Sequence, residues 1–193
     1  MSDLRELVLK NRSYRGYDRS RKITKEELLE LVDLARICPS SKNGQALKFH
    51  VAYEEAEVAR IQPATMWAGA LPELHLPYPG TEPVAFIVIC IDTQLAPNEA
   101  VFVRDVGITA QTMLLGAAEK GLGGCMIGSF KRADLIEAIG LPEHLSPNLV
   151  IALGKPAEEI ILTQVPENGS TNYYRDEAGI HYVPKRSLED LLI

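Results

Sequence analysis

The sequence predicts an α+β fold in which helices surround a central mixed β-sheet. Three stretches carry that prediction. Val84 to Ile91 is apolar without a break and without alternation, as expected of a strand covered on both faces. Thr24-Lys25-Glu26-Glu27 has the form of a capping box, in which Thr24 caps the helix and Glu27 reaches back to it. Asn98 is placed to cap the longest helix, which runs to about Lys120 and stops at Gly121.

The other elements follow in order. After the capping box, Ile23 and Leu28 are spaced for a hydrophobic staple. Leu28, Leu31, Val32 and Ala35 form one apolar stripe, and Pro39 ends the helix. Lys48 to Tyr53 reads as a strand and Glu54 to Ala70 as a helix broken before Pro72. Pro72 to Pro83 holds four prolines and a glycine and reads as a loop. Gly107 and Gly116 lie inside the long helix, each costing about 1 kcal/mol relative to alanine. With Ala110 and Ala117 they would let another backbone approach closely, although glycine tolerated in a packed core helix fits equally well. Gly124 to Ile127 reads as a strand, Lys131 to Ile139 as a helix ended by Gly140, and Asn148 to Leu153 as a strand. A polar tail with a last short segment, Ser187 to Leu192, completes a single domain over residues 1–193 without internal repeats.

Composition narrows the function. Apolar residues make up 46% and charged residues 24% of the 193, the balance of an ordinary globular protein. The N-terminus lacks the apolar core of a secretory signal, and no apolar run approaches the length of a membrane span. Cys38, Cys90 and Cys125 have no Cys-x-x-Cys spacing and read as reduced thiols of a cytoplasmic protein. His50, His75, His144 and His181 form no metal-ligand pattern, so no metal is expected. Lys10, Arg12, Arg15, Arg19, Arg21 and Lys22 cluster within thirteen residues of a chain whose net charge is −6. A local cationic cluster on an acidic chain suits a local anion such as a phosphate, and argues against nucleic acid. Charge alone also fits a solvated N-terminal segment.

Several motifs are excluded. Gly121-Leu122-Gly123-Gly124-Cys125-Met126-Ile127-Gly128 has Met126 where a dinucleotide fingerprint needs glycine, and it leads into a strand instead of a helix. There is no phosphate-binding G-x-x-x-x-G-K-[ST] and no G-x-S-x-G elbow. These glycines fit a helix cap and a tight turn, or a backbone held open to a ligand.

Six segments in order resemble the nitroreductase family of FMN-dependent oxidoreductases. Asn11-Arg12-Ser13-Tyr14-Arg15-Gly16-Tyr17 resembles the family's R-R-S-x-R-x-F/Y opening. Pro39-Ser40-Ser41-Lys42-Asn43-Gly44-Gln45-Ala46-Leu47-Lys48-Phe49 is similar to P-S-x-x-N-x-Q-P-W-x-F. Asp105 to Gln111 resembles the start of the family's long central helix, and Gly121 to Phe130 its glycine-rich segment. Leu153-Gly154-Lys155-Pro156-Ala157-Glu158 is similar to L-G-Y-P-A-E, and Lys185-Arg186-Ser187-Leu188-Glu189-Asp190 to R-K-P-L-E-E.

The resemblance implies roles position by position. Arg12, Ser13 and Arg15 would hold FMN, and Lys185 and Arg186 would reach its phosphate, to which guanidinium forks are suited. Pro39, Ser40, Ser41 and Asn43, with Gln45 in the same motif, would reach the flavin from the partner subunit of an intertwined homodimer. The tail from about residue 160 would extend along that partner. Backbone amides of Gly128 and Ser129 would approach flavin O4 and N5. The implied reaction is ping-pong hydride transfer from NADH or NADPH, through flavin N5, to a small electron-poor acceptor such as a nitroaromatic, quinone or activated alkene. The cofactor carries the chemistry, so no protein nucleophile is expected. Protons could come from water or from the Tyr14 or Tyr17 hydroxyl. A flavin-binding sensor or carrier without turnover is the alternative. The chain departs from the family pattern at Asn11, at Ala46-Leu47 in place of Pro-Trp, and in a proline-rich loop without lysine.

Overall fold

The computed structural model describes residues 3–69, 71 and 73–193. In chain order the first elements are α1 (Leu4–Lys10), β1 (Tyr17–Asp18), α2 (Lys25–Arg36), β2 (Leu47–Ala52), α3 (Glu55–Ile61) and β3 (Ala85–Asp92). They continue with α4 (Val103–Glu119), β4 (Gly123–Ile127), α5 (Arg132–Ile139) and β5 (Leu145–Pro156). Last come β6 (Ile160–Gln164), β7 (Tyr174–Arg175) and β8 (His181–Lys185).

The apolar run read as a central strand is β3. All eight of its residues are buried, and it lies between β2 and β5. Its side chains alternate between two cores. Ala85, Ile87, Ile89 and Ile91 pack with Leu28 and Leu31 of α2 and with Ala110, Met113 and Ala117 of α4. Phe86, Val88 and Cys90 pack on the other side with Val58 and Ile61 of α3 and Leu135 of α5. The run shows no polar alternation because neither face meets water. The ladders of this five-stranded sheet are antiparallel, and a parallel bridge between Ser13 and Gly124 adds the mixed character. Long β5 binds β3 along one edge. Its other edge takes β4 first and then β1, where Tyr17 faces Pro156.

The helix starts follow local chemistry. Thr24 Oγ1 accepts from Glu27 N at 3.2 Å and Glu27 returns the bond to Thr24 N at 2.9 Å, which is the predicted box. Gly140 ends α5 in the left-handed region at φ 61°, where glycine bears no Cβ penalty. Asn98 is a correction. Its side chain makes no cap bond, and a 3₁₀ turn at Glu99–Val101 separates it from α4. The close-packing role expected of the long helix is also internal to one chain. A Cβ on Gly116 would lie 2.5 Å from Leu34 Cδ1 and 3.2 Å from Leu31 Cδ2, so this glycine lets α2 cross α4. Ala110 and Ala117 lie in the same core, and only Gly107 has open space around it.

The tail read as polar in fact forms a second sheet of order β6-β8-β7, with β6 and β8 parallel. The helix expected over Glu54 to Ala70 ends at Ile61 and gives way to a 3₁₀ turn. Ala70, Pro72 and the first two residues lie outside the described residues. Among the described residues no helix is long and apolar enough to cross a membrane.

Candidate functional site

The Arg12–Arg15 segment runs along the free edge of β4. Tyr14 N donates to Gly124 O at 3.1 Å. In an antiparallel ladder, successive residues turn their main-chain groups alternately toward and away from the partner strand. Gly124 therefore faces away from β5, and so does Met126 two residues on. The glycines at the head of β4 serve the chain's own packing. A Cβ on Gly123 would meet the Tyr14 ring at 2.5 Å, and one on Gly124 would meet Ala152 O at 2.5 Å. Of the two readings of these glycines, a cap with a tight turn or a backbone open to a ligand, neither anticipates this contact with Tyr14 and β5.

Beside this edge lies a cavity of about 320 Å³. The N-terminal segment lines it with Asn11, Arg12, Ser13 and Arg15, β4 with Gly124 and Met126, β8 with His181 and Lys185, and Tyr173 joins them from just before β7. Both ends of the chain thus supply cations to one space. Arg12 Nη2 donates to Val8 O at 2.7 Å, while its buried Nε has no partner. Asn11 Nδ2 bonds Gln111 Oε1 at 3.3 Å, so the departure from arginine still contributes a polar wall. Arg15 donates through Nη1 to Ser13 O at 3.2 Å, and its guanidinium lies 4.9 Å from the centre of the Tyr173 ring, a cation–π distance.

Glu158 ties this arrangement together. It accepts from the Arg15 main-chain N–H and pairs with Arg175 Nη2. The Glu158 and Arg175 side chains are only 8% and 9% exposed, so the N-terminal segment and the C-terminal sheet meet on a buried ion pair. His181, 2% exposed, packs edge-on to Tyr173 with ring centres 5.2 Å apart. Burial lowers its pKa to about 4, helped by Arg15 and Arg175 and opposed by Glu158. Its ring is therefore neutral at pH 7.

The Pro39–Gln45 loop is built differently. Lys42, Asn43 and Gln45 all have positive φ, at 53°, 51° and 47°, a conformation costing non-glycine residues about 1–3 kcal/mol each. Asp105, at the start of α4, holds the loop in place. It accepts from Ser40 Oγ at 2.7 Å, Ser41 N at 2.9 Å and Ser41 Oγ at 2.8 Å. It is 3% exposed, and its charge is met by these donors and by the helix N-terminus. Pro39, Ser40 and Gln45 line a second cavity of about 270 Å³ with Leu47, Phe49 and Thr109. Within one chain, then, the loop and the Arg12–Arg15 segment line different cavities.

Of the remaining expected site residues, Lys185 lines the first cavity whereas Arg186 is exposed and outside its lining. Ser41 and Asn43 line neither cavity. Gly128 and Ser129 are exposed just beyond β4, and a Cβ at Gly128 would meet nothing within 4 Å. The Tyr14 and Tyr17 hydroxyls are engaged with main-chain carbonyls, donating to Lys10 O at 2.9 Å and Tyr14 O at 2.7 Å. Burial raises the pKa of both. Cys125 is buried, and desolvation pushes its thiol up to about 11. Among the described residues no His, Cys, Asp and Glu cluster could hold a metal.

The model of the nitroreductase family matches residues 8–155. The chain belongs to the nitroreductase family. A Methanothermobacter thermautotrophicus protein provisionally named NADH dehydrogenase/NAD(P)H nitroreductase is 32% identical over 163 residues, covering 81% of this chain and 78% of its own. A nitroreductase family protein of Clostridium difficile 630 superposes with a TM-score of 0.65 at 25% identity, over 81% of this chain and 86% of that one. A provisionally named nitroreductase of Exiguobacterium sibiricum, solved in complex with FMN, shares the fold. Its TM-score is 0.69 at 22% identity, over 87% of this chain and 95% of that one. The family match ends at residue 155, so Tyr173, His181 and Lys185 lie beyond it. Glu158, Asp105 and His181 escaped the sequence reading of the site. Glu158 and Asp105 fall inside quoted motifs, yet what each does depends on burial and on partners distant in the chain.

Proposed function

We propose that this protein is an FMN-dependent oxidoreductase that passes hydride from NADH or NADPH to a small electron-poor acceptor by a ping-pong cycle. The observation that carries this reading is the single cavity shared by Arg12, Ser13, Arg15 and Lys185 along the free edge of β4. A phosphate ester fits these residues. Three cations and a hydroxyl converge there, and Arg12 Nε is buried without a partner. The Exiguobacterium neighbour, which holds FMN, supports the choice of cofactor. Bound FMN would supply the hydride-accepting centre. Arg12 and Arg15 would bind the phosphate by charge-assisted bonds, and the outward main chain of Met126 and the exposed amides of Gly128 and Ser129 would orient the ring.

A homodimer is part of the proposal. The Pro39–Gln45 loop lines a cavity separate from the cationic one, which suits a loop that serves the partner's flavin. Val103 and Ile108 on α4, and Leu188, Leu191 and Leu192 in the tail, are exposed apolar side chains that an interface would cover. The tail from about residue 160 would extend along the partner there. A cytoplasmic setting belongs to the same reading, since Cys38, Cys90 and Cys125 are all free.

The direct test is the visible spectrum of the purified protein, followed by anaerobic addition of NADH and NADPH. A flavin spectrum that either nucleotide bleaches is expected. A colourless protein that ignores added FMN would overturn the cofactor. A yellow protein that oxidises NAD(P)H no faster than free FMN would favour the non-catalytic alternative. The thiols stand outside this chemistry. With a pKa of about 11, the Cys125 thiol is ionised at pH 7 to only on the order of one part in ten thousand. Cys125→Ala is expected to keep the flavin spectrum and to change turnover by less than about threefold, under about 1 kcal/mol in barrier. A hundredfold fall with flavin bound would place the thiol in the reaction.

A further inference from the structure

Within the cationic cavity, one polar side chain is buried with nothing to bond. His181 sits on β8, 2% exposed, and neither Nδ1 nor Nε2 has a hydrogen-bond partner. Buried polar groups are nearly always satisfied, and an exception calls for a physical cause. The Tyr173 ring holds the imidazole edge-on, and Arg15 lies over the same Tyr173 ring. The imidazole lines the same space as Arg12, Ser13, Arg15 and Lys185. We propose that His181 is a ligand of the phosphate of the bound cofactor, donating a ring N–H to a phosphate oxygen inside that cationic cradle. The inference rests on the FMN reading and adds to it a residue from the C-terminal sheet, outside the family-matched region.

The chemistry suits the position. Arg12, Arg15 and Lys185 already bring three positive charges to a ligand group carrying close to two negative ones, as a phosphate monoester does near neutral pH. A further cation would add mainly repulsion among the ligands. Burial and the two neighbouring guanidinium groups, Arg15 and Arg175, keep the imidazole uncharged, against the pull of Glu158. A neutral imidazole still offers one N–H donor, so it adds direction without charge. The unsatisfied ring thus destabilises the empty protein and is repaid when the anion arrives.

Flavin binding separates this role from a structural one. Binding of FMN and of riboflavin, which has no phosphate, is measured by flavin fluorescence for the wild type, His181→Phe and His181→Asn. The apo melting temperature of each is recorded alongside. His181→Phe keeps an aromatic partner for Tyr173 but loses the N–H. It is expected to weaken FMN about 10-fold or more, the fold-change of a hydrogen bond to a charged group, and to leave riboflavin within about twofold. His181→Asn keeps a donor and is expected to recover part of the loss. The apo form of His181→Phe should melt no lower than wild type, because two unpaired buried nitrogens are gone. If His181→Phe does not fold, His181→Ala carries the same comparison without added bulk. Equal weakening of FMN and riboflavin, or unchanged FMN affinity, overturns the proposal while leaving the FMN reading intact. A wild-type protein that binds neither flavin overturns both.

Discussion

Glu158→Gln is expected to destabilise the protein by about 3–5 kcal/mol, the usual loss when one partner of a buried ion pair is removed. Both side chains of the pair are under a tenth exposed, so the Arg175 guanidinium would be left charged, desolvated and without its counter-ion. Arg175 Nε already lacks a partner, and the hydrogen bond that remains, from Nη1 to Gly179 O at 3.2 Å, goes to a neutral carbonyl. Glutamine keeps the shape and an oxygen for the Arg15 N–H, so the change isolates the charge. Urea denaturation of the single variant should show the full loss. The double variant Glu158→Gln/Arg175→Met should recover much of it, because the unpaired cation goes too. A loss below about 1 kcal/mol would mean that water reaches the pair and screens it as it does a surface bridge.

Arg12→Ala is expected to weaken FMN about 10- to 150-fold, from about 1.5–3 kcal/mol for a charge-assisted bond, and to leave riboflavin nearly unaffected. Arg12 has a structural duty as well. Its Nη2 satisfies Val8 O, one of the carbonyls that the end of α1 leaves without an intrahelical partner. Fraying of α1 would disturb both flavins alike, so equal weakening of FMN and riboflavin would assign Arg12 to the helix end instead of the phosphate. Arg12→Lys keeps the charge but not the planar fork, and an intermediate loss is expected for it.

Much of the fold is legible where one local rule decides the outcome. The Thr24–Glu27 box, the Gly140 stop and the β3 run each carry their own signal, and each appears in the structure. The elements missed are those that no local rule decides. Helix α1 is seven residues long and buries none of them, so Leu4, Leu7 and Val8, although at helical spacing, make too short a stripe to stand out. In the tail, β6 is only partly buried and β7 spans two residues, and both depend on pairing with β8. The site divides in the same way. Arg12, Ser13, Arg15 and Lys185 are placed by motif and meet in one cavity. Arg186 shares the motif of Lys185, yet is exposed and outside that lining. Asp105, Glu158 and His181 matter because of what surrounds them in space, and that becomes visible only once Ser40, Arg175 and Tyr173 are brought beside them.

The pairing of β1 with the far end of β5 has a consequence for synthesis. A growing chain that has emerged through Pro156 possesses every strand of the five-stranded sheet, including the partner that β1 must wait for. It can bury both cores at that stage. It would still lack one wall of the cavity proposed to hold a phosphate ester, because Tyr173, His181 and Lys185 have still to leave the ribosome. On the proposed reading, core formation and completion of the phosphate cradle would be successive events in the life of the chain, and residues 157–193 would convert a finished scaffold into a receptor.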